Sequence, residues 1–254
     1  MSDFKIAFDK LVKIMLDLRR QCPWDKKQTN ESLRHLTIEE CYELSDAIID
    51  NDYDGIKEEL GDLLLHVVFY SVIAEEKKKF NLSDVINAQR KKLIHRHPHI
   101  YDNVKVKGVQ DVKKNWELLK LKEDGKRSTL SGVPQSLPTM LKSYRIQEKV
   151  KGIGFDFPDK EGAFGKILEE IEEFKIEIHN KNTSKAEEEF GDILFSLIGY
   201  GQKIGINAVN ALEATNKKFI NRFNKMEDLL KQEKKHISNC SSEELNIFWN
   251  RVKD

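Results

Sequence analysis

Proline and glycine are scarce in this chain of 254 residues, at 5 and 13, too few turn-formers for a fold of many short strands. Helix is the default that remains. Cysteine is scarcer still. Cys22, Cys41 and Cys240 are odd in number and scattered, which excludes a disulfide framework and fits a reducing compartment. Neither sign of charge is in excess, with Lys+Arg at 43 and Asp+Glu at 43, and that balance argues against a nucleic-acid partner. No apolar run approaches the roughly 18 residues of a membrane span, and mean hydropathy is −0.58. The first residues, Met1-Ser2-Asp3-Phe4-Lys5, lack the basic and then apolar pattern of a secretory leader. The expectation is a cytoplasmic protein with no membrane and no nucleic-acid partner.

What is present is a pattern that occurs twice. Ile38-Glu39-Glu40-Cys41-Tyr42-Glu43 faces Leu168-Glu169-Glu170-Ile171-Glu172-Glu173 at an offset of 130, and at the same offset Glu58-Glu59-Leu60-Gly61-Asp62 faces Glu188-Glu189-Phe190-Gly191-Asp192. A constant offset over two motifs implies two homologous domains. The periodicity inside each is helical, so the expected fold is all-α, two tandem helical bundles. The Gly/Ser/Pro-rich stretch 124–138 reads as the linker, between domains at 1–123 and 139–254. Thr37, three residues before Glu40, reads as a cap opening the first acidic helix. The next helix runs from Ile56 to about Lys78. Its segment from Leu63 to Phe69 is apolar nearly all round, which predicts burial in a bundle or dimer interface. A helix from Asn81 to His97 ends at Pro98. Helices over 164–180, 184–204 and 208–231 repeat the series.

Glu40 and Glu43 lie three apart on one helix, and Glu59 and Asp62 three apart on the next, so each pair shares a face. The connection at 51–55 is short enough to make the helices antiparallel neighbours, which lets the four carboxylates converge. Acidic residues at such spacing commonly form a solvated face paired with lysine. Here Asp62 and Asp192 lead into apolar segments, where an unpaired charge is costly, and the set recurs as Glu170, Glu173, Glu189 and Asp192. Converging carboxylates repel unless a cation neutralises them, and oxygen-only ligands suit Mg²⁺, with Mn²⁺ as a substitute.

Together with these motifs, Cys22-Pro23-Trp24-Asp25-Lys26-Lys27-Gln28-Thr29, Arg96-His97-Pro98-His99, Gly154-Phe155-Asp156 and Phe248-Trp249-Asn250-Arg251-Val252-Lys253 resemble the MazG family of all-α nucleoside triphosphate pyrophosphohydrolases. The resemblance covers nearly the whole chain. It implies Mg²⁺-dependent hydrolysis of a nucleoside triphosphate to the monophosphate and pyrophosphate, broad in specificity, and a homodimer. It implies that Glu170, Glu173, Glu189 and Asp192 hold the metal, and that Lys185, Lys218 and Arg222 contact phosphates. Lys166, Ile167, Leu168, Glu169 and Glu170, with Ala186, Glu187, Glu188 and Trp249, then border the nucleotide. The matching first-half positions are Glu40, Glu43, Glu59, Asp62, Lys92 and Arg96. Either Glu169 or Glu39 could orient the attacking water.

Other readings fit less well. His95, His97 and His99 surround a helix-ending proline and match no closed zinc pattern. Gly125-Lys126-Arg127-Ser128 lacks the upstream glycine of a P-loop. A di-iron bundle wants Glu-x-x-His from two helices, and only Glu233 to His236 has that form. A non-catalytic interaction or nucleotide-binding module needs no repeated carboxylate set. Between the halves, the second is expected to carry most turnover, because Gly55 stands where the second has Lys185.

Overall fold

The computed structural model describes residues 3–123 and 128–253, is 79% helical, and has no strand among the described residues. It divides into two compact units, Met1–Lys107 and Gly108–Asp254. In the first, α1 (Phe4–Gln21) leads through a 3-10 turn (Asp25–Lys27) into α2 (Asn30–Ile49), α3 (Tyr53–Glu76), α4 (Leu82–Arg96) and the short α5 (Pro98–Tyr101). The second comprises α6 (Val109–Glu123), a 3-10 turn (Thr129–Gly132), α7 (Thr139–Gly152), α8 (Lys160–His179), α9 (Thr183–Lys203), α10 (Ala208–Gln232), a 3-10 turn (Ile237–Asn239) and α11 (Ser242–Arg251). Helix α6 groups with the second unit, so the units part earlier than the composition limit at 123. Residues 129–132 of the expected linker dock on α7, where the buried Lys149 Nζ donates to Thr129 O at 3.3 Å. Residues 124–127 lie outside the described residues.

Short oxygen-bearing side chains open the helices by accepting from first-turn amides. Thr29 caps α2 and Asp159 caps α8, while Asp52 caps α3 and Asn182 caps α9. Each pair stands at the offset of 130 seen in the acidic motifs. The α2–α3 and α8–α9 hairpins also turn on equivalent residues in left-handed backbone, Asn51 (φ 55°) and Lys181 (φ 56°). After α3 and α9 the register changes. The next N-caps, Asn81 and Asn207, are 126 apart, because α3 has 24 residues and α9 has 21, with one further residue lost from the connection.

One expectation needs correction. Thr37 does not open α2, since the capping box is Thr29 with Ser32, a full two turns earlier. Mid-helix, its hydroxyl bonds Leu33 O at 3.1 Å and the Tyr70 hydroxyl at 2.8 Å, tying α2 to α3. The apolar segment of α3, expected to be buried in a bundle or dimer interface, is covered on one side within the single chain. Val68 and Phe69 are buried with Met15, Leu33, Val72 and Ile73, whereas Leu64 is 41% and Val67 44% exposed.

The loop before α2 is anchored by Arg19. Its guanidinium donates twice to Glu76 at 2.8 Å and also to the carbonyls of Asp25 and Gln28, which joins α1, the loop and the end of α3. This bond holds the Glu76 carboxyl below its ordinary range. The second unit anchors its corresponding loop with reversed polarity. Lys203, at the end of α9, binds Asp156 Oδ2 at 2.9 Å and the Phe157 carbonyl.

Candidate active site

Helices α2 and α3 pack side by side, and so do α8 and α9. Each hairpin brings three carboxylates together. Glu40, Glu43 and Glu59 offer oxygens all within 4.8 Å of one another, and Glu170, Glu173 and Glu189 do the same. Asp62 and Asp192 stand outside these triads, yet close enough for their charge to act on Glu40 and Glu59 in one case and on Glu189 in the other.

The electrostatics of the two clusters differ. In the first, the Glu40 carboxyl is pushed up to about 7, by burial first, then by its hydrogen bond with Glu59 and the charges of Asp62, Glu43 and Glu59. Burial raises Glu59 as well, and its Oε2 is buried with no hydrogen-bond partner. Like charges that converge in this way favour the protonated form of a carboxyl. In the second cluster a cation is already present. Lys166 Nζ lies 2.8 Å from Glu170 and 2.8 Å from Glu169, and Glu170 is only 5% exposed. Those two hydrogen bonds, to Glu169 and then Glu170, raise the Lys166 ammonium. Glu189 is raised by burial, then by the charges of Glu173, Glu170 and Asp192. Two oxygen-only clusters of this spacing, one with an orphaned buried oxygen, fit a hard divalent cation.

The remaining sequence-predicted residues distribute around the second hairpin. Lys185, Glu187 and Glu188 are exposed near the start of α9, Leu168 is exposed on α8, and Ile167 and Ala186 are buried. Lys218 is exposed on α10, where Arg222 Nη2 donates to Lys253 O at 2.7 Å. Trp249 on α11 is half-buried, its ring 4.9 Å from that of Phe219 on α10. These residues form a second group on α10 and α11. In the first unit, Lys92 is exposed and Arg96 half-buried near the end of α4. Counted from the N-caps Asn81 and Asn207, Lys92 and Arg96 match Lys218 and Arg222 in position.

Sequence reasoning missed three features. The Lys166–Glu170 ion pair was legible as an i, i+4 pair. A cavity of about 360 Å³ in the second unit, between α7, α8 and α9, was not. Also missed was His66, buried one turn beyond Asp62, which burial holds below its ordinary range against the opposing charge of Asp62.

Comparison with known proteins matches the MazG nucleotide pyrophosphohydrolase domain twice, over residues 28–101 and 161–226. The nucleoside triphosphate pyrophosphohydrolase/pyrophosphatase MazG of Thermotoga maritima is 40% identical over 257 residues, which covers 100% of this chain and 98% of the relative. The nucleoside triphosphate pyrophosphohydrolase of Escherichia coli K12 is 35% identical, with 96% of each chain covered. The uncharacterized protein YabN of Bacillus subtilis is 39% identical over 97% of this chain and 52% of its own length.

Proposed function

The chain belongs to the MazG nucleotide pyrophosphohydrolase family, and on that premise we propose that it hydrolyses nucleoside triphosphates to monophosphate and pyrophosphate with Mg²⁺. The observation that carries this reading is the close approach of Glu170, Glu173 and Glu189 on α8 and α9, within 4.8 Å of one another. Those residues and Asp192 would hold the metal. When bound, a hard cation neutralises phosphate charge and stabilises the departing pyrophosphate.

The chain's own residues do the rest. Lys166, already at the Glu169 and Glu170 carboxylates, presents an ammonium to the phosphates from the edge of the cluster. Lys185, Lys218 and Arg222 are further phosphate contacts, with arginine suited to bidentate binding. Glu169 orients the attacking water. One water is consumed, the α–β anhydride breaks, and the proton released passes to a carboxylate or to solvent. Broad house-cleaning of the nucleotide pool in the cytoplasm is the role we assign.

A homodimer belongs to the same reading. Ile38, Tyr42, Leu64 and Val67 in one hairpin and Leu168, Phe190, Leu194 and Leu197 in the other are large apolar side chains left exposed in the single chain. Apolar stripes of that extent mark interaction surfaces.

The test is pyrophosphate release from a mixture of nucleoside triphosphates. Release with Mg²⁺ or Mn²⁺ that stops in EDTA supports the reading. Full activity in EDTA removes the metal, and no release with any divalent ion removes the reaction.

A further inference from the structure

Helix α11 has 10 residues, too few to hold helical form alone, so its geometry depends on what it docks against. It runs antiparallel to the later part of α10. Near its start, Glu244 binds Lys235 at 2.8 Å, and at its end Lys253 O accepts from Arg222 Nη2 at 2.7 Å. Between these points Phe248 and Val252 are buried with Met226 and Leu230.

This docking fixes the surroundings of two residues assigned to the nucleotide above. Trp249 follows the buried Phe248, and its ring stands 4.9 Å from Phe219 at 44°. Phe219 in turn stacks on Phe223, with centroids 6.3 Å apart and planes within 17°. Arg222 meets the carbonyl end of α11, where the helix dipole favours a cation. A guanidinium has five donors, so one such bond leaves others for phosphate. A slide of α11 along α10 would displace the Trp249 ring and the partner of Arg222 together.

What resists a slide is a set of charges around the Phe248 ring. Arg251 Nη1 binds Glu233 at 2.6 Å, and the Arg251 guanidinium carbon lies 5.0 Å from the ring centroid. Lys235 Nζ lies 5.6 Å from the same centroid and also binds Glu244. Glu244 closes the capping box of α11 too, its Oε2 accepting from Ser241 N at 3.0 Å. Apolar burial is non-directional and sets how deep α11 sits. The ion pairs and ring contacts have direction, and they set its register. Arg251 and Glu233 reach this clasp from the surface, with side chains 47% and 40% exposed.

We propose that Arg251 is a positioning residue for the nucleotide: clasped to Glu233 and seated against Phe248, it sets α11 on α10 and thereby holds Trp249 against Phe219 and Lys253 O against Arg222. The proposal rests on the pyrophosphohydrolase reading, in which Trp249 and Arg222 border the substrate. Its effect falls on binding, because the carboxylates stand on α8 and α9 and not on the clasped pair of helices. Where α11 is undocked part of the time, apparent affinity falls by the docked fraction.

The experiment uses Arg251→Met, which keeps an apolar stem and removes the charge. KM and kcat for nucleoside triphosphates with Mg²⁺ are measured beside the fluorescence of Trp249, taken as the difference between each protein and its Trp249→Phe counterpart. Arg251→Met is expected to raise KM about fivefold, the scale of one exposed ion pair with one cation–π contact. It should leave kcat unchanged and move Trp249 emission to the red. Glu233→Gln removes only the ion pair and should give smaller shifts of the same sign, and Arg251→Lys should recover most of the loss. An unchanged KM in Arg251→Met overturns the proposal. A raised KM with unaltered Trp249 emission would make Arg251 a direct contact and overturns the positioning role, and a fall in kcat equal to the rise in KM would mean general damage and overturns it too. Wild-type protein that releases no pyrophosphate from any nucleotide defeats the underlying reaction instead, while Trp249 emission still reads whether Arg251 sets the helix.

Discussion

One turn before the first carboxylate of each cluster, the second unit has Lys166 and the first has Leu36. The lysine bridges Glu169 and Glu170, and the leucine packs against a closed apolar core. Beyond that position the second unit opens into a cavity, which Leu33, His66 and Phe69 fill in the first. The same carboxylate geometry therefore sits in two different settings. The second unit sets an ammonium and a cavity beside its cluster, and the first sets packed side chains at the matching positions.

The largest test of that contrast is catalytic. Glu173→Gln should lower kcat by more than the roughly 10–100-fold that follows loss of a metal's indirect partner, and Glu43→Gln should lower it clearly less. Equal losses would make the two sites equivalent, and a greater loss for Glu43→Gln would reverse their roles. A second test addresses the anchors of the two loops. Arg19→Met removes a nearly buried fork that binds one carboxylate and two carbonyls, for a loss of about 2 kcal/mol in urea unfolding. Lys203→Met removes one ammonium and should cost about half as much. Similar losses would show that the reversed polarity of the anchors carries no energetic difference.

Smaller effects should appear with pH. The Glu40 carboxyl is raised in the fold to about 7. A raised carboxyl stabilises the fold fully below its unfolded value, and that contribution is lost as pH rises through the folded value. In EDTA, thermal stability should therefore fall between about pH 4.5 and 7. Added Mg²⁺ should restore more at pH 8 than at pH 5. Glu40→Gln should flatten the fall, and a fall that persists in that variant would put its origin elsewhere. The smallest effect concerns the hairpin turns. Lys181 and Asn51 hold the same left-handed backbone, which asparagine tolerates better than lysine. Lys181→Asn should stabilise by less than about 1 kcal/mol, and Asn51→Lys should destabilise to a similar degree. Urea midpoints read both.

Much of this was legible in the sequence because periodicity and repetition are local signals. The acidic pairs at i, i+3, the short connections and the constant offset placed α2, α3, α8 and α9 and named three of the four carboxylates in each set that approach one another, Asp62 and Asp192 standing outside the triads. The misplaced cap at Thr37 shows the limit of such signals. A threonine three residues before a glutamate looks the same mid-helix, and the true box at Thr29 closes with a serine. Pro98 follows the end of α4 and also begins α5. The cavity was hidden for a different reason. It arises from three size differences on two helices together with the approach of a third, and no single stretch of sequence carries that information. The same holds for the Arg19 anchor, which spans 57 residues to reach Glu76.

The change of register after α3 and α9 bears on how repeated domains can diverge. The two helices differ by three residues and the intervals from cap to cap by four, close to one helical turn in either measure. Removing one or two residues would swing everything downstream to the opposite side of the helix. Removing about a turn shortens the lever while leaving its azimuth nearly intact, so the basic pairs on α4 and α10 keep their place relative to their own caps. Duplicated helical domains can thus lose length without losing aim when the loss is counted in turns, and a linear comparison at one fixed offset will misjudge which residues correspond beyond the break.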